Sequence, residues 1–164
     1  MPTKKIDSRI KLLLELFDRS YNRVAWHGPI AKSAIRGLKL DQVLWRPGPK
    51  RHNIWEIVLH MAYWKYAVRR RLTQGPKSSF PRKGSDWIKL PPKPDMEAWK
   101  ADVALLYEQH KLLRQTIESF PPSQLDKIAP NSKLPNMMVI LGIAQHDVYH
   151  TGQIQLLKKL WKTK

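Results

Sequence analysis

Six histidines and no cysteine define most of the chemistry open to this 164-residue chain. His60, His110, His146 and His150 lie on apolar repeats of helical period, where an imidazole needs an internal partner for its nitrogens. His146 and His150 stand four residues apart, so on a helix they project from one face about one turn apart. Two imidazoles so placed, with a third from a facing helix, can hold one metal ion and leave positions open for water or substrate. Periodicity does not choose among His27, His60 and His110 for the third ligand, and hydrogen-bonded core histidines would produce the same spacing. The lack of cysteine excludes disulfides, Cys-ligated zinc, iron–sulfur clusters and a protein thiol nucleophile.

Four amphipathic stretches must position these residues. Ile6, Ile10, Leu13, Phe17, Tyr21 and Val24 step by three or four and predict a first helix, interrupted at His27-Gly28-Pro29. Pro29 suits the first position of a short continuation over residues 30–38. Asn53 and Glu56 read as a capping box for a second helix that runs to about Leu72 and stops before Gly75-Pro76. Its stripe is Ile57, His60, Trp64 and Val68. Asp95 is the expected N-cap of a third, with Trp99, Val103, Leu106, His110, Leu113 and Ile117, closed by Phe120-Pro121-Pro122. The fourth runs from Pro135-Asn136 to about Trp161 and carries Ile143, His146, His150, Ile154, Leu157 and Trp161.

A linker over residues 74–94 has five prolines, no helical period and no recognisable chemistry. It is expected to wrap one face of the protein, anchored by Phe80 and Trp87. No strand-like alternation competes with the helices. The expected fold is therefore all-α: a four-helix bundle with long connecting loops, in a single domain over residues 1–164. No apolar run is long enough to span a bilayer, and the N-terminus has charges without a following apolar segment, which points to a cytoplasmic protein.

Thirty Lys and Arg against thirteen Asp and Glu give a net charge of +17. Phosphate neutralisation makes nucleic acid a candidate partner for such a surface. The placement of the charges argues against it. Arg69, Arg70 and Arg71 fall near the end of one helix, and Lys158, Lys159, Lys162 and Lys164 close another, where cations complement the helix dipole. No zinc-finger spacing, RNP-like segment or helix-turn-helix is present. A solvated basic surface is the simpler reading.

The segment His146-Asp147-Val148-Tyr149-His150-Thr151-Gly152-Gln153, with Ile54-Trp55-Glu56-Ile57-Val58-Leu59-His60 upstream, resembles the DinB-like (YfiT-type) superfamily of metal-binding four-helix bundles. The resemblance extends over essentially the whole chain in helix order and loop placement, including the Trp26-His27-Gly28-Pro29 break. It implies that His60, His146 and His150 bind a divalent metal ion, zinc or nickel. It also implies a small-molecule substrate, and it carries the expectation of a homodimer. Relatives include thiol-dependent S-transferases and isomerases, so the implied function is a metal-dependent transferase using a low-molecular-weight thiol. A metal-dependent hydrolase is its close neighbour. The rival class is a non-enzymatic basic module contacting nucleic acid or an acidic partner.

Several residues near the motif have two readings. Glu56 could orient His60, although its capping role accounts for it. Gln153 faces either a substrate or solvent, and Gly152 is expected to permit a close helix approach. His110 reads as a satisfied core histidine, His27 as a loop residue or pocket rim, and His52 as a loop residue. Trp55, Trp64 and Trp99 read as core. Asp147 lies about 100° from the ligand face and is not expected to be catalytic.

Overall fold

A computed structural model describes residues 6–75 and 80–164. The first five residues and Pro76 of the expected helix stop lie outside the described residues. Six α-helices are present among the described residues: α1 (Ser8–Tyr21), α2 (Ala31–Ile35), α3 (Leu40–Leu44), α4 (Ile54–Thr73), α5 (Met96–Ser119) and α6 (Asn136–Trp161), with a 3-10 turn at Pro122–Gln124. The described residues form no β-strand, only two isolated bridges. Among the described residues no helix is long and apolar enough to cross a membrane. Each long helix packs on two others: α4 lies against α5 and α6, and α1 against α5 and α6. That ring is the expected all-α bundle.

Local signals set the helix ends. Asp7 caps α1 by accepting from the Arg9 amide at 2.9 Å, and Asp95 caps α5 by accepting from the Ala98 amide at 2.8 Å. At α4 the Asn53 side chain accepts from the Glu56 amide while Glu56 accepts from the Asn53 amide, the expected capping box. Gln74 closes α4 in the left-handed region.

The first part of the chain departs from expectation. α1 stops at Tyr21, and Val24, assigned to its apolar stripe, lies beyond the end and is 85% exposed. Arg19 donates to the Val24 carbonyl at 2.7 Å and draws the chain out of the helix. Pro29 precedes α2 instead of opening it, since Ile30 is the cap. The continuation over residues 30–38 is a single short helix that ends before Gly37, whose φ of 72° no helix interior accepts. A second short helix, α3, follows, its start held by Gln42 accepting from the Lys39 amide.

The core has two apolar clusters. One gathers Ala62, Trp55, Leu59, Trp99, Leu106, Ile154 and Leu157; the other gathers Leu13, Phe17, Val68, Leu113, Ile117, Ile140 and Ile143. Between them along the long helices lie buried polar residues: Asp18 and Ser20 on α1, Lys65 on α4, Gln109 and His110 on α5, and Asp147 on α6. The Lys65 ammonium bonds Asp147, which also accepts from Ser20, and it faces the rings of Phe17 and Tyr21 at 4.7 and 5.2 Å. This charge pair with no solvent access is held by mutual attraction, the Ser20 hydroxyl and the ring faces.

Candidate metal centre

His60 lies in the second turn of α4, and His146 and His150 lie mid-helix on α6, which packs against it. The structure brings these residues together and leaves His27 and His110 outside. Nε2 of His146 is 3.1 Å from Nε2 of His60 and 3.1 Å from Nε2 of His150. One ring nitrogen from each of the three lies within 4.8 Å of the others. Nitrogens bound to one zinc-sized ion at about 2.0–2.1 Å stand about 3 Å apart, so the donor spacing fits a single ion.

The outer nitrogens fix the inner ones. His60 Nδ1 lies 3.3 Å from the Asp86 carbonyl and 3.2 Å from Asp86 Oδ1, both acceptors, so Nδ1 carries the proton. Asp86 is steadied in turn by the Trp64 indole, which donates to Oδ1 at 2.8 Å. His150 Nδ1 is 2.6 Å from Gln153 Oε1, and the Gln153 amide donates onward to the Tyr149 hydroxyl at 3.1 Å. The Gln153 amide is thereby oriented and His150 also carries its proton on Nδ1. Both Nε2 lone pairs point at His146. A neutral imidazole has one N–H and can satisfy only one of them. A cation between the rings satisfies all three nitrogens, which is the arrangement these contacts build.

Burial keeps the triad neutral. It lowers His60 below the ordinary histidine value, with Asp86 acting in the opposite direction. His146 is pushed down to about 3, first by burial and then by His150, His60 and Lys65. Burial also carries His150 down to about 4, against the bond to Gln153. Neutral imidazoles with free lone pairs are what a metal requires.

The long linker, expected to carry no chemistry, supplies this support. Its Trp87 ring stacks on His60 at 3.9 Å and on His52 at 3.5 Å, so the indole is sandwiched between two imidazoles. Phe80 packs against Tyr63 and Tyr66, and Arg82 bonds Asp102 at 2.6 Å. Phe80 and Trp87 thus anchor the segment as expected. Trp64, read as core, instead carries the hydrogen bond to Asp86. Sequence reasoning had no signal for Asp86, which lies 26 residues from His60 in an aperiodic stretch.

The remaining candidates resolve individually. Glu56 holds the α4 cap, Arg46 and His52 and makes no bond to His60. His110 is stacked between Phe17 and Tyr21 at 4.4 and 3.9 Å, and neither of its nitrogens has a partner among the described residues. It is a core histidine, as expected, but an unsatisfied one. Its value falls to about 2 through burial, then Lys65 and Arg114. His27 is exposed in the loop after α1. Gly152 meets nothing within 4 Å where a Cβ would stand, so the expected close helix approach is absent. Asp147 points away from the triad into its pair with Lys65.

Comparison with known protein families matches residues 29–154 to the DinB superfamily. No curated protein and no solved structure matches the chain. The matched span contains all three histidines and the linker that supports them. The chain belongs to the DinB superfamily, whose helical fold it has and in which a triad of this kind can bind metal.

Proposed function

We propose that this protein is a metal-dependent transferase that joins a low-molecular-weight thiol to an electrophilic small molecule, with zinc or nickel held by His60, His146 and His150. The carrying observation is the convergence of three Nε2 atoms, two of them with their proton fixed on the far side of the ring. When bound, a divalent ion there acidifies a coordinated thiol or water and so supplies a nucleophile at neutral pH.

The chain's own residues favour thiol over water. Hydrolysis gains from a free carboxylate base beside the nucleophile. Asp147, next to His146 in sequence, is buried and paired with Lys65, and Asp86 is engaged by His60 and Trp64. A thiol ionised at the centre needs no such base, and a chain without cysteine must take its sulfur from a cosubstrate. Asp86 and Gln153 hold the two outer imidazoles in orientation, and Trp87 covers one face of His60.

The test offers metal-loaded and metal-stripped protein a panel of low-molecular-weight thiols with one electrophilic acceptor. Thioether formation that requires both a thiol and the metal supports the reading. Failure of every thiol with the loaded protein would overturn it in favour of hydrolysis or ligand sensing.

A further inference from the structure

A second site lies apart from the histidines. Between α2, the turn at Gly37 and the N-terminal half of α5 is a cavity of about 510 Å³. That is the size of a small-molecule pocket. Ile35, Leu38, Trp99 and Val103 give it apolar walls, and none of the three triad histidines reaches it.

Two features point to its occupant. The first is a polar group within the wall. Tyr21 lines the cavity and is only 2% exposed, and its hydroxyl, which is not sealed from solvent, makes no hydrogen bond among the described residues. A phenol with so little access to water gains from an acceptor supplied within the cavity. The second is the rim, where Lys32, Arg36 and Lys100 are all exposed. None of the three pairs with a carboxylate among the described residues, so all three are free to meet an anion. The Lys32 ammonium lies 6.0 Å from the Tyr107 ring at this mouth.

We propose that this cavity binds an amphipathic carboxylate: an apolar body against Ile35, Leu38 and Val103, an acid head at the three rim cations, and a second oxygen accepting from the Tyr21 hydroxyl. The charges select an anion, the walls select hydrocarbon, and the phenol selects an oxygen. This site does not depend on the metal reading.

Calorimetric titration of the full chain with 10-hydroxydecanoate, decanoate and 1-decanol tests it. The hydroxy acid should bind tightest, about fivefold better than decanoate for one added hydrogen bond. The uncharged alcohol should bind weakest. Tyr21→Phe keeps the ring packed on His110 and should erase the advantage of the hydroxy acid alone. Arg36→Glu with Lys100→Glu should weaken both acids by about five- to tenfold and spare the alcohol. Ala104→Trp, at an exposed lining position, should block all three. Removing metal with a chelator should change nothing. The proposal is overturned if neither acid binds, if acids and alcohol bind equally, if Ala104→Trp leaves binding intact, or if chelation abolishes it.

Discussion

At the scale of single residues, the site depends on imidazoles kept neutral and correctly oriented. His146, His150 and His110 are held near 3, 4 and 2, and His60 is lowered too. The unfolded chain, with histidines near 6.5, takes up protons that the fold refuses. Stability of metal-stripped protein is therefore fully present above about pH 6.5 and declines as pH falls toward the native values. Urea unfolding should show a loss of about 3 kcal/mol or more by pH 4.5; an unchanged midpoint between pH 7 and 4.5 would contradict this. Orientation is tested separately. Asp86→Ala and Gln153→Ala should each weaken zinc binding by about 10- to 100-fold in a competition assay with a chromophoric chelator. Asp86→Asn, which keeps an acceptor and tolerates the left-handed backbone (φ 58°), should restore much of the loss. The His146/His150 pair was legible because helical spacing alone aligns it. Asp86 was not, because its contact with His60 is made by folding of a segment with no period.

At the scale of elements, the helices were readable from caps and apolar period, and the errors fell where backbone geometry overrides pattern. Gly37 divides what apolar spacing had joined, and Arg19 ends α1 before Val24. Gly152 in α6 has neither a positive φ nor a close neighbour. Gly152→Ala should therefore stabilise the protein by about 0.5–1 kcal/mol through helix propensity, read as a raised unfolding midpoint. A loss of stability would mean that the glycine is needed for packing after all. Lys65 gave no sequence signal, since a lone lysine on a helix reads as solvated. Its burial depends on Asp147, 82 residues away. Lys65→Met alone should cost about 3–5 kcal/mol by leaving Asp147 charged and unpaired. Adding Asp147→Leu should recover most of that cost. Additive losses in the double variant would show that the pair does not act as a unit.

At the scale of the whole molecule, four long helices in a ring place α4 beside α6, and that adjacency turns a short sequence motif into a three-nitrogen centre. The positive balance has a structural side. Several acids are committed to specific partners, Asp18 to Arg114, Asp102 to Arg82, Asp147 to Lys65 and Glu56 to Arg46, leaving many cations without a counter-charge. Such a surface favours the approach of anionic small molecules. The proposed chemistry requires that the three Nε2 atoms hold one divalent ion. The most direct measurement equilibrates metal-stripped protein and its His150→Ala variant with zinc, removes free ion by gel filtration and determines metal per chain. The parent should retain about one ion per chain and the variant should lose it. Metal absent from both, or retained equally by both, would contradict the claim.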